Sequence, residues 1–181
     1  EEKTKAKVLI SDPQVIKICR NKVCTQKFLE DNNFGVPRMY TDNELEKEDL
    51  NYPLFIKPNS GSSNINAFIV KNKIELDLYR SIISEPIIQD YIEGEEYTVD
   101  AFLDFNGKII TIVPRLRIAT RSGEILKGKI VKDREIIDDV TRLLRALKPI
   151  GHITIQLKKA KEGIKYIEIN PRFGGGAPMS I

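Results

Sequence analysis

The sequence predicts an α+β protein with mostly antiparallel sheets, because helical patterns dominate early and strand patterns dominate later. Helical periodicity is clearest in isolated segments, whereas short strand-like segments follow one another from Pro86 onward. Tight turns at Asn106-Gly107 and near Gly163 join neighbouring segments and indicate hairpins. With 181 residues, the chain is long enough for one large or two small subdomains.

Four helices are expected. The first follows Asp12, a candidate N-cap, with Pro13 in its first turn, and a short strand at Lys7–Ile10 is predicted before it. A second helix is predicted over residues 22–32. The third and fourth helices carry apolar stripes, at Ile74, Leu78 and Ile82, and behind a cap at Asp133 at Ile136, Ile137, Val140, Leu143, Leu144 and Leu147.

The remaining ordered segments read as strands. They are Pro53–Pro58, Ala67–Val70, Ile87–Ile92, Glu96–Phe105, Lys108–Pro114, His152–Lys158 and Lys165–Asn170. Between the first two of these, Asn59–Asn64 is rich in Gly, Ser and Asn and predicts a mobile loop.

Composition excludes several function classes. The net charge of +3 is small and the charges are interspersed, which argues against a nucleic-acid partner. No apolar run approaches the roughly 20 residues that span a bilayer, so no membrane partner is expected. A single histidine excludes a multi-histidine zinc site. Cys19 and Cys24 lack metal-site spacing and fit reduced thiols in a cytoplasmic protein.

The last two strands predict a metal site. Side chains alternate between faces along a strand, so Glu168 and Asn170 should share one face, with Ile167 and Ile169 on the other. If the two strands pair, Gln156 joins Glu168 and Asn170. Three oxygen ligands with one formal charge suit Mg²⁺, or Mn²⁺. The alternative is a polar sheet face that simply meets water, but the Asn-Pro-Arg bend ending in Arg172 and the glycines after it favour a site.

Two further segments suit a nucleotide. Lys57 ends an apolar strand just before a loop of small residues, where its ammonium group could meet phosphates beside loop N–H groups. The Ile87–Ile92 strand could hold a flat base, and the acidic turn after it could bind ribose hydroxyls. The alternatives are an ordinary exposed lysine and a solvated acidic turn. The candidate residues are Lys57, Ser60, Gly61, Ser62, Gln89, Asp90, Tyr91, Ile92 and Glu96.

Arginines cluster further along the chain. Arg115, Arg117 and Arg121 lie within one short segment. Their guanidinium groups could bind a substrate carboxylate or a developing acyl phosphate. The alternative is ordinary surface charge.

These motifs occur in a familiar order. Lys22, the Tyr-Pro-Leu-Phe-Ile-Lys-Pro segment ending at Pro58, Glu93-Gly94-Glu95-Glu96-Tyr97, Gln156 and Glu168-Ile169-Asn170-Pro171-Arg172 follow one another along the chain. This order resembles an ATP-grasp domain, and in particular stand-alone relatives of the carbamoyl-phosphate synthase large subunit. The resemblance runs from about Lys7 to the last residue given, and Glu-x-Asn-Pro-Arg is its most specific part.

The resemblance implies two α+β subdomains that grip a nucleotide. Lys22 and Lys57 would contact phosphates, the Gln89–Ile92 segment adenine, and Glu96 the ribose. Gln156, Glu168 and Asn170 would bind magnesium, while Arg172, with Arg115 and Arg121, would contact the phosphoryl group or the acyl phosphate. The implied divisions are residues 1–20 as the remnant of a preceding domain, 21–50 as helix and connector, 51–92 as a lid subdomain, and 93–181 as the metal-binding subdomain.

Three departures from the family pattern stand out. Asn21 occupies a position where such relatives usually carry aspartate, and the Ser60 loop has a single glycine where many have several. Arg121 stands where carbamoyl-phosphate synthases carry histidine, which argues against carbamoyl phosphate as the product.

The expected function is that of an ATP- and magnesium-dependent ligase that activates a carboxylate as an acyl phosphate for attack by an amine. Its partners would be small-molecule carboxylate and amine substrates, with a homodimer as the candidate assembly. The alternative is a nucleotide-binding module without ligase activity that regulates or scaffolds a partner. A third reading, an RNA-binding domain, lacks stacking aromatics on one face.

Overall fold

The computed structural model describes residues 6–46, 49–61, 65–121 and 124–180. Of the candidate site residues, Ser62 lies outside these ranges, and Arg121 is described only as backbone. The helices are α1 (Pro13–Arg20), α2 (Lys22–Asp31), α3 (Asp42–Leu45), α4 (Lys73–Ile82) and α5 (Arg134–Leu147). Asp12 and Asp133 cap α1 and α5 through side-chain oxygens, as their sequence positions predict.

The first sheet has three antiparallel strands. They are β1 (Leu54–Pro58), β2 (Phe68–Val70) and β3 (Pro86–Asp90), in the order β2-β1-β3. This sheet has a small core of its own, formed by Leu45, Leu54, Ile56, Val70, Leu76, Ile83 and Ile88. The segment before α3 also pairs with β3, since Tyr40 N donates to Ile88 O at 2.9 Å.

The second sheet has five antiparallel strands. They are β4 (Glu95–Leu103), β5 (Ile109–Arg121), β6 (Glu124–Ile130), β7 (Gly151–Ala160) and β8 (Gly163–Asn170), in the order β6-β5-β4-β7-β8. Its apolar face packs with α1, α2 and α5 in the larger core. The opposite face carries the polar side chains of β4 and β7, and it therefore supplies one wall of the candidate site.

The α+β class with antiparallel sheets is confirmed, but three local expectations are wrong. Residues 7–10 form no strand. Strand β6 is absent from the sequence prediction, and β5 continues well beyond Pro114. Lys127 and Lys129 weaken the strand pattern of β6, and its pairing with β5 outweighs that weak local preference.

The third correction concerns α4. Ile74, Leu78 and Ile82, the stripe that marks this helix in the sequence, are 82%, 55% and 62% exposed. The helix instead buries Leu76 against the small sheet. Apolar periodicity thus located the helix correctly but not the face that packs.

Candidate active site

A cavity of about 570 Å³ lies between the two sheets and the start of α2. It brings together eleven of the sequence-predicted residues: Lys22, Lys57, Ser60, Gly61, Gln89, Asp90, Tyr91, Ile92, Glu96, Gln156 and Glu168. These residues come from segments up to 146 positions apart, so it is the fold that brings them together.

Two lysines face the cavity from different elements. Lys57 in β1 is buried, and this burial together with the nearby charge of Lys22 lowers its pKa to about 8, although Glu168 opposes the shift. Lys22 opens α2, and its Nζ donates to Gly61 O at 3.0 Å. Burial also lowers the pKa of Lys22, again opposed by Glu168. The ammonium groups of Lys22 and Lys57 repel each other and are partly desolvated, so an anion bound between them would stabilise both.

Helix α2 and the loop after β1 are joined at Lys22. Asn21 Oδ1 accepts from Cys24 N at 2.9 Å and caps the helix. Val23 N donates to Asn59 Oδ1 at 3.3 Å, so the loop begins against the helix N-terminus. Asn21, which departs from the family pattern, therefore serves as the N-cap of α2. Asparagine and aspartate are about equally favourable at this position.

The oxygen ligands lie on the β7–β8 hairpin. Gln156 is directly opposite Glu168, and Asn170 lies further along β8, opposite Thr154. Gln156 and Glu168 line the cavity, whereas Asn170 is not part of its lining. Among the described residues, no three His, Cys, Asp or Glu side chains form a group that could hold a metal. Any cation here would therefore depend on one carboxylate and neighbouring amide oxygens, a donor set that fits Mg²⁺.

A β-bulge corrects the predicted faces of β8. Leu157 pairs with Tyr166 and Gln156 with Glu168, so Ile167 is the extra residue between two pairs. Tyr166 and Ile169 are buried in the core, while Ile167 lines the cavity beside Glu168. Simple alternation placed Ile167 in the core, and that inference was wrong because the bulge interrupts the two-residue period.

The end of β3, the start of β4 and the short segment that joins them form the other end of the cavity. Gln89 is buried, and its Nε2 donates to Gln26 Oε1 in α2 at 2.5 Å. Asp90 Oδ1 accepts from Tyr40 Oη at 2.7 Å. Glu96 faces the cavity with one oxygen 2.6 Å from Nη1 of Arg117. These contacts fix the segment from both sides before any ligand is considered.

Sequence reasoning missed several cavity residues. Phe55, Ile167 and Lys158 all line the cavity. Lys158 shares a strand face with Gln156, two positions away, so extending the alternation by one step would have found it. Its Nζ donates to Ile92 O at 2.8 Å and lies 4.9 Å from the centroid of the Tyr91 ring.

Two predicted arginines do not line the cavity. Arg172 is exposed, and its Nη1 donates to Phe173 O at 2.9 Å. Arg115 is 1% exposed and bound to Asp100, with Nε and Nη2 at 2.8 and 2.7 Å from Oδ2. Its Nη1 is buried without a hydrogen-bond partner in the described part of the chain.

Asp100 is the centre of a second polar group, here termed the Asp100 cluster: Asp100, Arg115, His152, Thr154 and Ser180. Ser180 Oγ donates to Asp100 at 2.6 Å and Thr154 Oγ1 at 3.0 Å. Burial disfavours the charged carboxylate, yet the hydrogen bonds from Ser180, Arg115 and Thr154 and the charge of Arg115 hold the pKa of Asp100 below its ordinary value.

Glycines let the segment after Arg172 close over this cluster. A Cβ on Gly176 would lie 2.6 Å from Nη1 of Arg115, and one on Gly174 would lie 2.9 Å from the Thr154 methyl group. Thr154 Oγ1 also lies 3.1 Å from the carbonyl oxygen of Arg172. The glycine run brings backbone close to Arg115 and Thr154, where the sequence suggested close approach to a ligand.

No helix in the described ranges is long and apolar enough to span a membrane.

The chain is 34% identical over 172 residues to a D-alanine–D-alanine ligase of Bacillus anthracis, a match that covers 89% of this chain and 55% of that protein. The chain spans about half the length of the curated relatives it matches.

Solved structures share the fold. The biotin carboxylase domain dimer of Hydrogenobacter thermophilus 2-oxoglutarate carboxylase, in complex with MgADP, ADP and bicarbonate, has a TM-score of 0.78 at 15% identity, covering 93% of this chain and 43% of that one. The Bacillus anthracis D-alanine–D-alanine ligase complexed with ATP has a TM-score of 0.65 at 25% identity, covering 90% and 58%. Residues 19–176 match the ATP-grasp domain, and the chain therefore belongs to the ATP-grasp family.

Proposed function

We propose that the protein is a ligase that uses ATP and Mg²⁺ to activate a carboxylate as an acyl phosphate, which an amine then attacks. The observation that carries the proposal is the convergence of Lys22, Lys57, Gln156 and Glu168 on one cavity. The cavity has cations and oxygen ligands at one end, and Tyr91 with neighbouring apolar side chains at the other. This arrangement suits a nucleoside triphosphate.

Lys22 and Lys57 would bind phosphate oxygens. Burial lowers both pKa values, and the negative charge of a bound triphosphate would favour the charged form of each amine. Gly61 belongs to the loop that Lys22 contacts, and loop N–H groups beside it could cover the phosphates. Adenine would lie along the Gln89–Ile92 segment.

Gln156, Glu168 and Asn170 would hold the magnesium ion. When bound, the ion neutralises phosphate charge as the γ-phosphoryl group moves. In the reaction, a carboxylate oxygen of the substrate forms a bond to the γ-phosphorus as the bond to ADP breaks. The amine then forms a bond to the acyl carbon and phosphate leaves. The chain needs to bind, orient and exclude water, without a nucleophile of its own.

Arg172, Arg115 and Arg121 would have different roles in this proposal. Arg172 lies two residues beyond Asn170 on the same turn and is exposed, so it is available to an acyl phosphate. Arg115 is committed to Asp100, which supports an indirect part for it in holding the turn. Arg121, at the end of β5, stays a sequence-based candidate for the substrate carboxylate.

The names of similar proteins support carboxylate chemistry of this class. They include D-alanine–D-alanine ligase, the name of the relative that is 34% identical to this chain. Within this class we propose a carbamoyl-phosphate synthase-like subtype acting on a small carboxylate and an amine. A homodimer and a cytoplasmic location remain predictions, as does the division of the chain at residues 20, 50 and 92.

The competing function is a nucleotide-binding module without ligase activity. The presence of Gln156, Glu168 and Asn170 favours the ligase, because an ion held there would also neutralise charge on a phosphoryl group in transfer, which a binding module does not require. Calorimetry of ATP binding with Mg²⁺ and with EDTA tests the proposal. We expect Mg²⁺ to strengthen binding, and ADP release to rise when a screen of small carboxylates and amines includes the true pair. Equal affinity in EDTA would contradict the metal site, and ATP binding without any ADP release would favour the module.

A further inference from the structure

Lys158 places a cation at the base end of the cavity. Its side chain is half-buried on β7, and its Nζ donates to Ile92 O at 2.8 Å while lying 4.9 Å from the Tyr91 ring centroid. Both contacts are with the segment between the two sheets. The ammonium group is therefore held at one backbone carbonyl of the proposed base-binding segment.

The order along β7 separates this cation from the phosphate end. Lys158 and Gln156 are two residues apart on one strand face, about 7 Å along the strand. Gln156 is opposite Glu168, whereas Lys158 is opposite Glu96 on β4. A nucleotide whose phosphates lie by Glu168 would thus direct its base towards Lys158.

Purines differ in what they present at this end. Adenine carries an amino group at position 6, which donates, whereas hypoxanthine and guanine carry an oxygen there, which accepts. An adenine amine directed at Ile92 O would share that carbonyl with Lys158 and approach its positive charge. A 6-oxygen would accept a hydrogen bond from Nζ directly, and hydrogen bonds from charged donors are the stronger kind.

We infer that Lys158 reads the 6-position of the purine and reduces the preference of the site for adenine nucleotides over 6-oxo nucleotides. The inference rests on the proposed nucleotide-binding function and deepens it by naming the residue that sets base selectivity. Inosine triphosphate is the matched probe, because its base differs from that of ATP only in the 6-substituent and in the proton that the adjacent N1 then carries. The N1 difference is the same for every variant, so it cancels when their preferences are compared.

The experiment compares dissociation constants for ATP and inosine triphosphate, both with Mg²⁺, in the wild type, Lys158→Met, Lys158→Gln and Lys161→Met. We expect the wild type to bind both nucleotides within about fivefold, and Lys158→Met to increase the preference for ATP by at least about tenfold. Lys158→Gln, a neutral donor, should fall between them. Lys161, exposed in the β7–β8 turn, is the control and should leave the ratio unchanged.

Removing the positive charge of Lys158 weakens the attraction for any triphosphate. This loss is equal for ATP and inosine triphosphate, so it cancels in the ratio of their two dissociation constants. Thermal melts identify any variant that fails to fold, and the glutamine variant then carries the comparison. If both nucleotides bind but the ratio is the same in all four proteins, the inference is overturned and the proposed function stands. If the wild type binds neither nucleotide, the proposed function fails and the inference fails with it.

Discussion

The cavity and the Asp100 cluster lie on the same polar face of the five-stranded sheet, but they differ in how their charges are balanced. In the cavity, Lys57 is buried next to a second lysine, and its lowered pKa reflects a charge without full compensation. In the cluster, Arg115 is also buried but has a carboxylate at 2.7 Å. An uncompensated buried charge is typical of a binding site, and a compensated one of a structural support.

The largest effect should come from breaking the compensated pair. Arg115→Met leaves Asp100 buried without its ion partner, so we expect a loss of about 3–5 kcal/mol of unfolding free energy. Denaturant unfolding measures it. Arg80→Met is the control, because Arg80 bonds to Asp42 and Glu46 at the surface and should contribute no more than about 1 kcal/mol. A stable Arg115→Met protein with weak ATP binding would reverse the assignment of the two regions.

The next effect belongs to the cavity. Glu168→Gln keeps the shape of the side chain but removes the one formal charge of the proposed metal ligands, so ADP release should fall at least about 10²-fold while the fold persists. Ile169→Ala is the neighbouring control. It is fully buried and should lower the melting temperature first. Full activity of Glu168→Gln at low Mg²⁺ would exclude this metal site.

The charge state of Lys57 gives a third, smaller effect. Its pKa of about 8 in the free protein should rise when phosphate binds, because an anion stabilises the ammonium form. Binding then requires proton uptake above pH 8, and ATP affinity should fall by up to about tenfold per pH unit from there. Calorimetry between pH 7 and pH 9.5 measures the fall.

Lys57→Arg supplies the comparison for this titration, since a guanidinium stays charged throughout that range. Its ATP affinity should show a flatter pH dependence than that of the wild type. Identical pH profiles for the two proteins would assign the titration to another group.

The smallest effect tests how the Asp100 cluster is covered. Ser180→Ala removes one of several hydrogen bonds to Asp100, so we expect a loss of about 1 kcal/mol and unchanged ATP affinity. Thermal melts and ATP titration measure the two quantities. A large loss of ATP affinity would mean that the segment ending at Ser180 acts on the cavity as well as on the cluster.

Much of this molecule could be predicted from local sequence. Caps at Asp12 and Asp133, the apolar stripe of α5 and the paired strands β7 and β8 depend on residues close together in the chain. Each motif behind the family assignment is also a short local segment, and the match over residues 19–176 confirms that assignment. Gln156 and Glu168 were expected to meet, and they are paired directly.

Other features depended on contacts that no local pattern specifies. The stripes of α4 and α5 look alike in sequence, yet Leu144 is 1% exposed and Leu78 is 55% exposed. Arg115 and Arg172 look equally suited to a substrate, yet Arg115 has Asp100 as a partner on the next strand. Ile167 was expected in the core, but a bulge in the pairing turns it into the cavity.

The sequence by itself therefore predicted four of the five α-helices in the described residues, most of the strands and the kinds of side chain available for chemistry, because these follow from periodicity and residue type over short spans. Only the tertiary structure decided which apolar face is buried, which arginine is neutralised and which lysine stands at the base end. Those outcomes are set by partners such as Asp100 and Ile92, which lie 15 and 66 residues away from Arg115 and Lys158 in the chain. Burial and charge compensation are properties of the assembled pair, and neither residue carries them alone.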